Sequence, residues 1–222
     1  MSAPIPELPC PVPERIVFDG QHVRLEPLDA AAHAEELRAA SSRPGCEDRF
    51  RHLFEPPPHE HDFGAWVARA AASRDPLYWA VIDKTTGRCE GRHALMRITP
   101  EHGVIEIGSI LWNPPLAGTR AATEALFLMA EYVFQTLRYR RFEWKCNALN
   151  AHSRRAADRF GFRFEGVFNQ HMVVKGENRD TAWFAMLDHE WARLREAYLA
   201  WLDPANFDEA GRQVKRLRDM VY

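Results

Sequence analysis

The sequence predicts a mixed α/β fold of the α+β kind, built on a central, mostly antiparallel sheet. Three observations predict it. Hydrophobic residues switch between the two-residue period of strands and the three-to-four-residue period of helices in the order β α α β β β α β α β β α. Three consecutive strands are joined by turns too short for a crossover, which makes them an antiparallel meander. One strand then runs through a proline stop into a long amphipathic helix.

The elements follow in order. Five prolines between Met1 and Pro13 fix φ and remove backbone donors, so the start reads as an extended arm, mobile or draped over the surface. Ile16 and Phe18, then Val23 and Leu25, flank a turn at Asp19-Gly20 and give a hairpin over Ile16 to Leu28. Asp29 is placed to cap an alanine-rich helix from Ala30 to Ala40. Ser41 to Pro58 is a loop broken by Pro44-Gly45 and three further prolines. A second helix is expected from about Glu60 to Ser73, with Phe63, Trp66, Val67 and Ala70 on one face. Strands follow over Leu77 to Ile82, Arg88 to Ile98 and Gly103 to Trp112. Asn113-Pro114-Pro115 stops the last of them, and a helix runs from about Thr119 to Leu137 with Ala122, Leu126, Met129, Val133 and Leu137 along one stripe. Arg141 to Cys146 alternates as a strand, and a short helix from Ala151 to Phe160 ends at Gly161, suited to a left-handed cap. Strands over Arg163 to Val174 and Asp180 to Leu187 form a hairpin around Lys175-Gly176-Glu177-Asn178. The last helix carries Trp191, Leu194, Tyr198 and Trp201 on one side. The expected organisation is an arm over residues 1–14, one domain over 15–202 and a tail over 203–222.

Composition bounds the function. With 222 residues, 46% hydrophobic and 27% charged, the chain can bury a core, which excludes a disordered, collagen-like or coiled-coil protein. A net charge of −2 removes the simplest electrostatic case for a nucleic-acid or anionic-membrane partner. Cys10, Cys46, Cys89 and Cys146 are scattered without a C-x-x-C pair and read as reduced thiols. The proline-rich start is neither a signal nor an anchor, so a cytoplasmic location is expected. His59 and His61 have no third ligand of suitable spacing, and no metal is expected.

Two stretches bear chemistry. From Gly103 to Leu137, a strand, a proline-stopped loop and a helix start leave backbone N–H groups pointing one way, an anion site in which Gly118 lets a phosphate approach. The same Gly118 and Thr119 can equally serve only to turn and cap the helix. In the second stretch, N-A-L-N-A-H-S-R-R-A-A-D-R-F-G-F, Asn150 is a helix cap and Ser153 shares a face with Ala157 and Phe160. A first-turn serine bonding backbone is the plain alternative. From Arg138 to Arg163 eight basic residues face two acidic ones, which suits either a phosphate-bearing ligand or a solvated helix face.

Together these elements resemble the GNAT superfamily of acyl-CoA N-acyltransferases, closest to the branch with the ribosomal-protein N-terminal acetyltransferases of the RimJ/RimL type. The residues that carry the resemblance are Glu106-Ile107-Gly108, Gly118 to Leu126, Arg140-Arg141-Phe142, Asn150, Ser153, Arg155-Ala156, Gly161-Phe162, Glu165-Gly166 and Arg179-Asp180. The likeness spans about Val23 to Trp191. Two departures stand out. Ala117, Arg120 and Ala122 occupy positions where the family's pyrophosphate loop usually has Gln or Arg, Gly, and Gly or Ala, and Ala157 stands where many members have an acidic tyrosine. Arg120 can pair with the pyrophosphate or obstruct it.

The resemblance implies the GNAT fold, with the family's fourth and fifth strands splayed around the pantetheine arm of acetyl-CoA, and transfer of the acetyl group to a primary amine by direct attack. The amine belongs to a small molecule or a protein N-terminus; nucleic acid is disfavoured, a membrane partner is not expected, and a homo-oligomer is left open. The backbone of Ile110, Leu111 and Trp112 would hold the arm and polarise the thioester carbonyl. Amides of Gly118, Thr119, Arg120, Ala121, Ala122 and Thr123 would hold the pyrophosphate. Glu106 is the candidate base, on a two-residue-period face shared with Val104, Gly108, Ile110 and Trp112 that desolvates it and raises its pKa; a structural ion pair with a neighbouring Arg or Lys is the equal alternative. Ser153 would serve the leaving thiolate, Asn150 the pantetheine amide, Arg154 and Arg155 the 3′-phosphate, and His171 the acceptor. The competing reading is a coenzyme-A-binding or regulatory module of the same fold that has lost turnover.

Overall fold

The structure, a computed structural model, describes residues 5–222, so the first four residues of the expected arm lie outside the described residues. Eight strands make a mostly antiparallel sheet with accompanying helices, the mixed α/β class read from the pattern. The chain divides into two compact units, one of Val12–Ile98 with Glu106–Leu128, the other of Met1–Pro11, Thr99–Ile105 and Met129–Tyr222.

In the first unit β1 (Phe18–Asp19), β2 (Val23–Pro27), β3 (Leu77–Asp83), β4 (Arg88–Thr99) and β5 (Val104–Trp112) neighbour one another in chain order. The first hairpin closes where expected, with Phe18 opposite Leu25 and the Gly20 N–H donating to the Val23 carbonyl. Tyr78 lies opposite Ala94 in β3 and β4, and a register shift falls between Val81 and Ile82. Helix α1 (Ala30–Ser41) starts at Asp29, whose carboxylate accepts the Ala32 N–H at 2.8 Å. The expected loop after it holds one short turn of helix, α2 (Glu47–Phe50). Helix α3 (Phe63–Ala72) begins later than Glu60, because Pro57 and Pro58 lead into a 3-10 turn and the capping oxygen belongs to Asp62, which accepts the Ala65 N–H at 2.9 Å. Leu28, Leu37, Phe63, Val67 and Ala70 pack on Tyr78, Ala80 and Ala94. Each large side chain buried there contributes about 1.5–3 kcal/mol.

Helix α4 (Arg120–Glu131) is shorter than its hydrophobic stripe predicted. The chain widens to a π turn over Tyr132–Thr136, the Leu137 N–H bonds the Tyr132 carbonyl, and Arg138 takes a left-handed φ of 57°. Apolar spacing cannot distinguish four-residue from five-residue hydrogen bonding in a last turn.

In the second unit the strand order is β6 (Arg141–Asn147), β8 (Glu177–Leu187), β7 (Arg163–Val174), all antiparallel. β8 starts three residues earlier than expected, since Lys175 (φ 53°) and Gly176 (φ 79°) alone make the turn. Two consecutive positive φ values match the twist of a two-residue hairpin. Helix α5 (Ala151–Arg159) begins at the Asn150 cap and gives way to Gly161 at φ 86°, as its sequence asks. Phe142, Trp144, Phe160 and Phe162 form an aromatic layer, and Tyr198 of α6 (Asp188–Leu202) donates its hydroxyl to the Phe160 carbonyl at 2.9 Å. The arm is draped at Cys10, whose N–H bonds Pro100 and whose thiol reaches the Arg138 carbonyl. The tail docks too, with Leu217 and, in α7 (Arg218–Val221), Val221 fully buried.

Candidate functional site

In the first unit the candidate chemistry lies along β5 and the start of α4. Glu106 is almost wholly buried, and its Oε2 accepts from Arg97 Nη1 at 2.7 Å, so the ion-pair alternative is present. Gly108 makes room for that carboxylate: a Cβ there would come within 2.5 Å of Met96 Sδ and 3.0 Å of Glu106 Oε1. Ser109 has φ 50°, a left-handed residue inside a strand. This corrects the expected single face from Val104 to Trp112, because the two-residue alternation is interrupted between Gly108 and Ile110.

Arg92 holds the break in place. Its guanidinium is fully buried, donates through Nη1 to the Ser109 carbonyl and to Ser109 Oγ, pairs with Glu55, and lies 4.5 Å from the Trp66 ring centre. The Tyr78 hydroxyl lies 3.2 Å from the same Ser109 Oγ. Burial pushes Arg92 down to about 9, which leaves it cationic at neutral pH, and raises Tyr78. The neighbouring His93, also fully buried, is pushed down to about 3 by burial and then by the charge of Arg92.

Beyond β5, Asn113 accepts the N–H groups of Leu116 and Ala117, and Thr119 caps α4, its Oγ1 accepting the Ala122 N–H at 3.2 Å. Thr123 N–H bonds the Thr119 carbonyl. Of the amides expected to face a pyrophosphate, those of Thr119, Ala122 and Thr123 already have acceptors, in the Leu116 carbonyl, Thr119 Oγ1 and the Thr119 carbonyl. Gly118 has φ 82°, and a Cβ built on it meets nothing within 4 Å. The left-handed turn accounts for the glycine, and the open space beside it fits a phosphate-bearing coenzyme at a helix N-terminus. Arg120, the first residue of α4, is half-buried.

In the second unit Asn150 Oδ1 accepts the Ser153 N–H at 3.0 Å, and Ser153 Oγ accepts from Trp144 Nε1 at 2.9 Å. Burial raises the Cys146 thiol, and a hydrogen bond from Ser153 offsets part of that rise. Ala157 is buried, with no hydroxyl in place of a tyrosine. Arg154 is turned onto its own helix start, donating to the Ala148 carbonyl at 3.3 Å, and Arg155 lies exposed with its guanidinium 3.1 Å from His152 Nδ1. His171 Nδ1 sits 3.0 Å from Thr181 Oγ1 beside Phe168 and Trp183.

Arg92, Tyr78, Glu55 and Trp144 were not singled out from sequence. One signal was available: Arg92 falls in the middle of an expected inner strand of the meander, buried from Cys89 to Leu95, where a charge requires a partner. Among the described residues no group of three or more His, Cys, Asp or Glu is placed to hold a metal, and no helix is long and apolar enough to cross a membrane.

The site thus combines a mixed sheet, a strand with a left-handed residue inside it and a capped helix start. The sequence matches the acetyltransferase (GNAT) domain over residues 22–163, and the chain belongs to the GNAT acetyltransferase family. It is similar to the crystal structure of a GCN5-related N-acetyltransferase from Brucella melitensis, at 58% identity and a TM-score of 0.95 over 97% of this chain and 98% of that one. A probable acetyltransferase of the GNAT family from Chromobacterium violaceum ATCC 12472 is 38% identical, with a TM-score of 0.77 over 86% of this chain and 98% of that one. The microcin C7 self immunity acetyltransferase, solved in complex with acetyl-CoA and AMP, shares the fold at 18% identity and a TM-score of 0.66, over 76% of this chain and 93% of that one. Among curated proteins none matches the sequence.

Proposed function

We propose that the protein is an acetyl-CoA-dependent N-acetyltransferase that acetylates a primary amine, on a protein N-terminus or a small molecule, by direct attack. The observation that carries the reading is the left-handed Ser109 inside β5, held by Arg92, directly before Ile110 to Trp112 and the open Gly118 turn. A left-handed residue bends a strand locally, and a bent strand can present backbone donors and acceptors to an extended ligand. The 58% identical structure is that of a GCN5-related N-acetyltransferase, which supports the N-acyl part, and the complex of the distant relative supports acetyl-CoA as the donor.

Acetyl-CoA supplies an activated acetyl group on a thiolate leaving group. The Ile110 to Trp112 backbone binds the pantetheine arm and offers an N–H to the carbonyl oxygen, where negative charge grows as nitrogen attacks. The turn at Gly118 and the start of α4 bind the pyrophosphate. Glu106, directly or through water, takes the proton that an ammonium must lose before its nitrogen has a lone pair. Ser153 offers its hydroxyl to the departing sulfur, and the Asn150 and Ser153 pair supports the RimJ/RimL-type reading. Residues 15–202 form the acetyltransferase domain in this proposal, and four free, buried cysteines support a reducing, cytoplasmic setting.

Arg120 and Ala157 favour a second reading, a module that binds coenzyme A without turnover. Calorimetry with acetyl-CoA combined with a free-thiol assay over a panel of amines and N-terminal peptides separates the two. Binding with amine-dependent thiol release is expected; binding with no release from any acceptor favours the module.

A further inference from the structure

The reading of Ser153 as the group that serves the leaving sulfur leads to a further residue, Trp144, and the inference rests on that reading. Trp144 Nε1 lies 2.9 Å from Ser153 Oγ. An indole nitrogen can only donate, so Ser153 Oγ is the acceptor and the serine proton must point elsewhere. The rest of the serine is fixed as well, since its N–H is held by Asn150 Oδ1 at 3.0 Å in the first turn of α5. Trp144 itself is 4% exposed and packs on Phe160 and Phe162, with ring centres 6.1 and 5.6 Å away. A phenylalanine would keep a ring in that layer and leave a small cavity, while the N–H is what tryptophan alone supplies.

Cys146 stands two residues beyond Trp144 in β6, on the same face of the strand. Its thiol, raised by burial, stays protonated and is a weak acceptor. The Ser153 hydroxyl is held by the indole donor behind it. A hydroxyl that accepts a hydrogen bond is a stronger donor.

We propose that Trp144 is a positioning residue for acetyl transfer: its indole N–H occupies the lone pair of Ser153 and aims the serine proton at the sulfur of the thioester. Ser153 keeps its proton throughout. The N–C bond forms while the C–S bond breaks, the electron pair of the broken bond goes to sulfur, and the hydroxyl hydrogen-bonds the growing charge. The nitrogen loses its proton to Glu106 or solvent, and the thiolate leaves as such or takes a proton from solvent.

Two measurements test this. In the ligand-free protein, Ser153→Ala should move one of the seven indole N–H signals in a 15N–1H spectrum and speed its exchange, leaving the other six in place. In turnover, Trp144→Phe should lower kcat about five- to tenfold, the scale of one lost hydrogen bond, with KM for acetyl-CoA unchanged within about twofold. The double variant should be no slower than Ser153→Ala alone. An indole spectrum unaffected by Ser153→Ala overturns the proposal without requiring Trp144→Phe to fold. So does a slow Ser153→Ala beside a Trp144→Phe of parental kcat, or losses that multiply in the double variant. Parental kcat in Ser153→Ala overturns instead the role of Ser153 itself, and the kinetic role of Trp144 with it.

Discussion

The carboxylate of Glu124, in the first turns of α4, closes over Gly20 at the tip of the β1–β2 hairpin. It accepts the N–H groups of Gln21, His22 and Val23 at 2.8, 2.6 and 3.0 Å, and a Cβ on Gly20 would lie 2.6 Å from it. The glycine is required here by closeness of approach, since three hydrogen bonds hold the carboxylate where the extra carbon would go. The start of α4, which the proposed function uses, is thereby tied to a hairpin about a hundred residues earlier in the chain.

Glu124→Ala should therefore destabilise the protein by about 2–3 kcal/mol, because it leaves three backbone donors without their acceptor. Gly20→Ala should destabilise in the same direction, and the two losses should not add, since both undo one contact. Urea denaturation of the two single variants and the double variant checks this; a loss from Glu124→Ala within the scatter of ordinary surface substitutions would contradict it.

Ser153→Ala should lower kcat by about ten- to a hundredfold, within the range of a single donor to a leaving group, and change acetyl-CoA affinity little. Steady-state kinetics and calorimetry on the same preparation read both quantities. A variant that loses affinity while keeping kcat would assign Ser153 to binding.

Glu106→Gln distinguishes a base from an ion pair. If the carboxylate removes the ammonium proton, the rate should fall by about a hundredfold with strongly basic acceptors and much less with weakly basic amines, which are already neutral at the assay pH. If Glu106 serves only to pair with Arg97, the two acceptors should lose equally. Arg97 is 41% exposed at its side chain and can hydrate when its partner is neutralised, so the variant is expected to stay folded.

His93 makes stability sensitive to acid. Its ring is fully buried, and neither ring nitrogen has a hydrogen-bond partner among the described residues. Its pKa is pushed from 6.5 down to about 3, so between those values the unfolded chain binds a proton that the folded one refuses. Stability should fall as pH drops through that window, by up to about 1.4 kcal/mol for each pH unit, and be insensitive to this group above it. Denaturation curves from pH 7 to pH 4 should be shallower in pH dependence for His93→Gln than for the parent; parallel curves would remove His93 as the cause.

The local devices were legible in the sequence and the long-range ones were not. Asp29, Asn150 and Gly161 each act within four residues of themselves, and so could be read from residue type and position. The left-handed Ser109 carries no such signature, because serine is an unremarkable strand residue and the turn of its backbone depends on Arg92, seventeen residues away. Glu124 was visible only as part of a family pattern, and its role at Gly20 needed the folded chain. Of the candidate site, Ser153 and Asn150 are legible with their helix start, while the partner that sets the hydroxyl direction, Trp144, is legible only as a member of the alternating strand Arg141 to Cys146.

Cys10, Cys46, Cys89 and Cys146 are all buried, and burial holds each above its ordinary pKa, Cys89 at about 12. Reaction with an aromatic disulfide dye requires an accessible thiolate. The native enzyme is accordingly near-silent toward such a dye, and colour developing in the cuvette reports coenzyme sulfur alone, so progress curves can be followed continuously without first capping the protein.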